Sequence, residues 1–413
     1  MRVAALRVAD VFRAHWAEYD RTQKIAPHQA KAVRHILSCR TAALGGHLHR
    51  CANCGSEVPV YNSCLDRHCP TCQTAAKEDW LADRRAELLP VEYFHAVFTV
   101  PHLANPLIDA NRELLLGELF SVVNWVLQHF AADPQWRLEG QLGFLAVLHT
   151  WTQLLTRHFH LHCVIPGGVW RAAAKPPGEA GRAAAKPPGK AGQAQTGRWV
   201  PMREGFLFGK QPLCDAFRNR FLKRLEALRK AGKLAFSGGA APLAAPRAWD
   251  GFITALEAKG WVVEARPTAA GAEQALEYLA RYVHRVAIGD HRILALEEGR
   301  VRFSYRDRRD GDRQKVKEIP AADFIQRFLY HILPRHFVKI RYYGWLAPTR
   351  KQETMAAIRA ALGAAPPTPQ PAETPAERIL RLTGVDIRRC PYCDAPALVY
   401  VGRLAPASTR EPP

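Results

Sequence analysis

Residues 157–168 read Arg157-His158-Phe159-His160-Leu161-His162-Cys163-Val164-Ile165-Pro166-Gly167-Gly168, imidazoles alternating with apolar side chains and then a Pro-Gly-Gly stop. Successive side chains of an extended strand point to opposite faces. His158, His160 and His162 therefore share one face, and Phe159, Leu161 and Cys163 share the other. The predicted element is a buried strand, because Cys163-Val164-Ile165 prolongs the apolar run and Pro166-Gly167-Gly168 ends it. Imidazoles converging from one strand can bind a divalent cation. One histidine on a half-exposed strand would need no such explanation, but three in alternation favour a metal.

A second signal lies at 273–285, Glu-Gln-Ala-Leu-Glu-Tyr-Leu-Ala-Arg-Tyr-Val-His-Arg, made mostly of good helix formers. Helical residues four apart share a face, so Gln274, Tyr278 and Tyr282 align, with Arg281 and Arg285 at neighbouring positions. A phenol is a weak nucleophile at neutral pH, and its attack on a phosphodiester needs metal or arginine charge at the phosphoryl group. Taken alone, the two tyrosines would be packing aromatics on an amphipathic helix.

Taken with the histidine strand, they mark a resemblance. The chain resembles the two-tyrosine HUH transposases of rolling-circle insertion elements, the IS91 family. Cys39 to His47 carries it, followed by Tyr61-Asn62-Ser63-Cys64, Arg67-His68-Cys69-Pro70 and Val97-Phe98-Thr99-Val100-Pro101. Further motifs are His149-Thr150-Trp151, the histidine strand, Tyr278 to Ile288, and Ile340-Arg341-Tyr342-Tyr343-Gly344. The resemblance implies that His160 and His162 hold Mg²⁺ or Mn²⁺, with a third ligand taken from His158, Gln274 or His149 in that order of preference. It implies that Tyr278 or Tyr282 attacks single-stranded DNA at the ends of the chain's own element and at the target, leaving a 5′-phosphotyrosine and a 3′-OH. Arg285 is then a catalytic candidate, and Arg281 a DNA-binding one. A plasmid replication initiator or relaxase would share this chemistry, but no helicase-type phosphate loop follows. A catalytically inactive zinc-finger DNA-binding regulator is the reading from another class.

Composition sets independent limits. Lys plus Arg exceed Asp plus Glu by 58 to 38 over 413 residues, a formal charge of +20 that favours a nucleic-acid partner. No run of 18 apolar residues suggests a membrane span, and the N-terminus lacks the pattern of a secretion signal. The expected place is the bacterial cytoplasm, on the nucleoid; self-association is left open.

Eight of the ten cysteines cluster at the two ends of the chain. Cys51-x-x-Cys54 and Cys69-x-x-Cys72 are two knuckles whose spacing suits one tetrahedral structural zinc. Cys39, Cys64 and His68 remain as ligands of a second site or as alternatives within the first. Arg67, with Arg50 and Lys77 nearby, is expected to touch DNA phosphates. Cys390-Pro391-Tyr392-Cys393 is a lone knuckle that could complete a site only with another chain or with the N-terminal module.

The expected architecture is α+β: an HUH-nuclease antiparallel sheet with covering helices, preceded by a small zinc-binding domain. Residues 1–90 form a helical segment plus the zinc module, with Val8, Val11, Phe12 and Trp16 on one helical face expected to pack onto that module. Residues 91–345 form the catalytic domain, and 346–413 a helical, Pro-rich tail. Strands are expected over Tyr93–Val100, Leu142–Leu148 and Trp261–Glu264, helix over Leu103–Phe130, and a hairpin over Arg302–Lys317. Within 171–198 an eleven-residue Ala/Pro/Gly/Lys unit occurs twice in tandem, and is expected to be a disordered insertion.

Overall fold

The computed structural model describes residues 6–173, 197–268, 271–283, 287–307, 310–349, 351–366 and 373–407. Most of the tandem repeat and Arg285 lie outside the described residues, as do the side chains of Arg281 and Tyr282.

The chain begins with α1 (Val8–Thr22) and α2 (Pro27–Ser38), then β1 (Gly46–Cys51), β2 (Glu57–Tyr61) and α3 (Thr74–Ala86). Val8, Val11 and Phe12 of α1 are fully buried, as their spacing predicts. Their partners are not confined to the zinc module. The Phe12 ring meets Phe328 edge-on at 5.3 Å, and one core joins α1 and α2 to Cys39, Cys69 and residues of 287–332.

The middle of the chain runs β3 (Tyr93–Thr99), α4 (Asn105–Ala110), α5 (Arg112–Ala132), β4 (Phe144–Trp151), β5 (Arg157–Pro166), β6 (Gly168–Ala172) and β7 (Gly197–Pro201). It continues with α6 (Lys210–Lys230), α7 (Pro246–Ala258), β8 (Val262–Pro267), α8 (Gly271–Val283), β9 (Ile293–Glu297), β10 (Arg300–Asp307), β11 (Arg313–Pro320), α9 (Ala321–Leu329) and β12 (Ile340–Tyr343). The tail adds α10 (Lys351–Ala361), α11 (Pro375–Thr383) and β13 (Leu398–Leu404). The result is mixed helix and antiparallel sheet.

The expected helix over 103–130 is broken at Asn111. Its side chain donates to the carbonyls of Leu107 and Ala235 and accepts from the Ala235 N–H, so it stitches the helical break to the 235 segment. The second half, α5, is apolar and 21 residues long, enough to cross a membrane by length and composition alone. Its side chains from Leu115 to Phe130 instead help fill the largest core.

Antiparallel pairing gives a five-stranded sheet in the order β12-β4-β5-β3-β8, with the histidine strand β5 in the centre. One face carries Phe94, Ala96 and Phe98 from β3, Ala146 and Leu148 from β4, and Phe159, Leu161 and Cys163 from β5, all sealed under α5, α6 and α7. The opposite face is divided. At one end Leu145, Val147 and Val164 are covered by Leu276, Leu279, Ala280 and Val283 of α8 and by Trp80 and Leu81 of α3. These α8 positions recur at helical spacing, and each large side chain buried this way stabilises by about 1.5–3 kcal/mol. At the other end the same strands carry histidines. Helix α8 thus lies across the sheet and leaves the imidazole end open.

Three further sheets accompany this layer among the described residues. β9, β10 and β11 form an antiparallel meander, and β13 pairs with β1 on the edge opposite β2. The tail therefore returns to the N-terminal strands. β6 and β7 pair from Gly168↔Pro201 to Ala172↔Gly197, so the chain leaves and re-enters at adjacent points on either side of the tandem repeat.

Candidate active site and metal centres

The cross-strand register decides which histidines meet. His149 of β4 lies opposite His160 of β5, and Val97 of β3 opposite His162. On this face His149, His160 and His162 converge. The His149 Nδ1 is 3.2 Å from the Nε2 of His160 and 3.2 Å from the Nε2 of His162. Nitrogens bound cis on one ion stand about 3.0–3.4 Å apart, whether the ion is octahedral or tetrahedral. All three rings are buried.

Hydrogen bonds orient the rings. The Nδ1 of His160 lies 3.0 Å from the carbonyl of His158, which can only accept, so this nitrogen carries the proton and Nε2 turns its lone pair into the cluster. His162 Nδ1 is 2.8 Å from the Nε2 of His95, and the two rings stack with centroids 5.0 Å apart. For His162 to ligate through Nε2, its Nδ1–H must donate to His95. Burial lowers the pKa of His95, keeping it neutral and able to accept. Burial, with the charges of His162 and His160 next, holds His149 well below the usual imidazole range. Such neutral rings suit metal binding.

His158, the preferred third ligand, is not brought into this cluster. Its Nδ1 is 2.7 Å from the Nε2 of His102 at the mouth of the cleft, and burial followed by His102 lowers its pKa to about 4. The strand places all three histidines on one face, but His158 is too far along it to close on β4. Gln274 is exposed on α8. The side chain that closes the cluster comes from the neighbouring strand, and its signal in the sequence was His149-Thr150-Trp151.

Tyr278 of α8 stands over this site. Its ring lies edge-on to His95 at 5.7 Å and to His162 at 5.8 Å. The helix carries Tyr282 one turn further, and its backbone is helical there; its side chain lies outside the described residues. The surrounding cleft, of about 840 Å³, is lined by the histidines and Tyr278 together with Trp151, Arg266, Tyr305 and Arg306. A second cavity of about 380 Å³ shares Trp151, Tyr305 and Arg306 and runs towards Arg292 and Gln314. The open path from the histidines thus leads along β10.

The thiols group differently from the expected single site. Cys39, Cys64, Cys69 and Cys72 form one cluster, and Cys51, Cys54, Cys390 and Cys393 another, with sulfurs within 4.8 Å of one another in each. The expected set of Cys51, Cys54, Cys69 and Cys72 is thereby corrected. The Cys69-x-x-Cys72 knuckle is completed by Cys39 and Cys64, two of the alternative ligands the sequence offered, and the Cys51-x-x-Cys54 knuckle by the tail knuckle Cys390-x-x-Cys393. Four thiolates fill a tetrahedral ion, so each cluster suits structural zinc.

His68 is no member of either cluster. Its Nδ1 is 3.0 Å from Asp66 Oδ1, and its Nε2 accepts from the Leu333 N–H at 3.3 Å. Arg67, expected on DNA, donates to the carbonyls of Phe337 and Pro334 at 2.6 and 2.9 Å. Both residues latch the zinc module to the segment leading into β12.

Comparison with known proteins agrees with both parts. Residues 11–100 match the family described as "Transposase zinc-binding domain", and residues 143–179 and 189–354 match that described as "Putative transposase". The interruption falls within the tandem repeat. The chain is 40% identical over 399 residues to "Putative transposase y4qJ" of Sinorhizobium fredii, covering 95% of this chain and 94% of that protein. It is 26% identical over 399 residues to "Transposase for insertion sequence element IS801" of Pseudomonas savastanoi pv. phaseolicola, covering 94% and 87%. No solved structure matches it.

Proposed function

Because the chain belongs to the IS91 family of transposases and carries the zinc-binding domain of that family, we propose that it nicks and rejoins single-stranded DNA through a 5′-phosphotyrosine during rolling-circle transposition. Membership by itself makes it a DNA-processing enzyme with DNA as partner, in keeping with its formal charge of +20. The observation that carries the finer reading is the position of the Tyr278 ring, 5.8 Å from His162 and beside three converging imidazoles.

His149, His160 and His162 would hold the ion, Mg²⁺ or Mn²⁺, through Nδ1, Nε2 and Nε2. Bound there, it supplies positive charge to the scissile phosphate. The oxygen of Tyr278, or of Tyr282 after a shift of one turn, forms a bond to phosphorus while the bond to the 3′ oxygen of the upstream nucleotide breaks. The phenol gives up its proton, the released oxygen gains one as 3′-OH, and the protein keeps the 5′ end. The second tyrosine allows another strand to be cut before the first is released. Arg281 and Arg285, three and seven residues after Tyr278, are assigned to phosphate contact. Arg306 borders the path along β10, where Trp151 and Tyr305 offer faces for bases. Cys39, Cys64, Cys69 and Cys72 would hold structural zinc in the N-terminal domain.

The test is incubation with labelled single strands from the flanks of the gene plus Mg²⁺ or Mn²⁺, followed by denaturing electrophoresis. A covalent adduct is expected that disappears in Tyr278→Phe plus Tyr282→Phe and in His160→Ala. Binding without an adduct on any strand from either flank would sink the nicking reading and favour a regulator.

A further inference from the structure

The Cys390-Pro391-Tyr392-Cys393 knuckle has no part in the nicking reading and lies outside both family matches. Its sulfurs are nevertheless placed against another knuckle more than three hundred residues away. Cys51 Sγ lies 3.6 Å from Cys393 Sγ, and Cys54 Sγ lies 3.6 Å from Cys390 Sγ. A disulfide would need about 2.05 Å. Sulfurs on neighbouring corners of a tetrahedral zinc with Zn–S of about 2.3 Å stand about 3.8 Å apart. The observed spacing is that of a metal-binding quartet.

The backbone is built to the same end twice. In the first knuckle the Gly55 N–H donates to the Cys51 carbonyl at 2.8 Å, and the Cys51 N–H to the Ser56 carbonyl at 2.9 Å. In the second the Asp394 N–H donates to the Cys390 carbonyl at 2.9 Å, and the Cys390 N–H to the Ala395 carbonyl at 2.9 Å. Each second cysteine is followed by a residue in the left-handed region, Gly55 at φ +74° and Asp394 at φ +58°. Two matched turns thus present two sulfurs each from facing sides. Asn53 Nδ2 approaches Cys393 Sγ at 3.5 Å, a donor to a thiolate that bears negative charge.

The pairing of β1 with β13 holds the knuckles in register. Cys51 lies opposite Leu398, and the Ala52 N–H donates to the Ala397 carbonyl at 2.8 Å. Strand β1 is the middle strand of its sheet only because the tail supplies β13.

We propose that Cys51, Cys54, Cys390 and Cys393 bind a second structural zinc, independent of the Cys39, Cys64, Cys69 and Cys72 site, which clasps the tail of the chain onto its N-terminal domain. The site takes a divalent ion that favours four thiolates and tetrahedral geometry, and leaves no open position for a substrate. Zinc binding releases the thiol protons and involves no redox step. The inference does not depend on the nicking chemistry.

The test uses the full chain, purified under reducing conditions and loaded with Co²⁺. Thiolate-to-cobalt charge-transfer absorption reports Co–S bonds only, so the histidine cluster does not contribute. Cys390→Ser plus Cys393→Ser is expected to lower this absorption to about half, and Cys64→Ser plus Cys72→Ser to remove the other half. Cys393→His retains a ligand, and is expected to keep the zinc count of the parent while shifting the cobalt d–d bands as one sulfur becomes nitrogen. That variant separates loss of a ligand from failure to fold. Unchanged absorption in the tail double variant would overturn the proposal. So would alkylation and mass analysis of the reduced parent that found Cys390 and Cys393 fully reactive towards iodoacetamide with zinc present.

Discussion

His149 on β4 and His160 on β5 are direct cross-strand neighbours, and the Nδ1 of one lies 3.2 Å from the Nε2 of the other. The cluster is thus made by the sheet, and no single strand contains it. His149→Ala is expected to weaken Mn²⁺ binding and adduct formation by more than about 100-fold, whereas His158→Ala should change Mn²⁺ affinity by less than about 3-fold. Calorimetric titration with Mn²⁺ checks both. A larger loss in His158→Ala would return that residue to the ligand set.

His95 faces His162 at 2.8 Å and holds the ring rather than the ion. His95→Phe keeps a flat ring but removes the acceptor, and is expected to cost about 10- to 100-fold in metal affinity. His95→Gln, which restores an acceptor, should recover part of it. Equal losses in both variants would show that His95 acts by packing alone.

Gly344 ends the Ile340-Arg341-Tyr342-Tyr343-Gly344 motif at φ +59°, and a Cβ there would stand 1.8 Å from the Leu142 carbonyl oxygen. Only glycine fits both restrictions. Gly344→Ala is expected to destabilise by about 3 kcal/mol or more, because strain and a backbone clash act together. Urea unfolding monitored by tryptophan fluorescence measures it, and a loss below about 1 kcal/mol would contradict this view of the motif.

His331 is buried between Thr150 Oγ1 and the Leu155 carbonyl, each at 3.1 Å. Burial lowers its pKa from the usual 6.5 to about 3, so the folded chain prefers the neutral ring. The unfolded chain takes up the proton first as the pH falls. The stability that His331 contributes is therefore complete above pH 6.5 and is lost progressively as the pH falls towards 3. Between pH 7.5 and 5 the loss from this group is about 2 kcal/mol. Urea midpoints across that range should show it, and His331→Gln, which does not titrate, should flatten the dependence. An unchanged slope in the variant would assign the acid sensitivity to other groups.

Much of the catalytic core was legible in the residues. Alternation over 158–163 with its apolar continuation marked a buried strand, and the helix-forming residues of 273–285 marked the helix that covers the sheet. The break at Asn111 was not legible, because it serves a hydrogen bond to Ala235, 124 residues away. The carbonyl partners of Arg67 were not legible for the same reason. They are the Phe337 and Pro334 carbonyls, 270 and 267 residues away along the chain.

By itself the sequence determined the residue types and their local periods: imidazoles on one strand face, tyrosines a turn apart, thiols in knuckles, and a family resemblance carried by these motifs. Only the tertiary structure decided which of them meet. His149 replaced His158 because strand pairing sets neighbours across the sheet, and period alone cannot specify register. Cys51 and Cys54 joined Cys390 and Cys393 because a tetrahedral ligand set is chosen by distance in space, and chain separation carries no information about that once the backbone has folded back on itself.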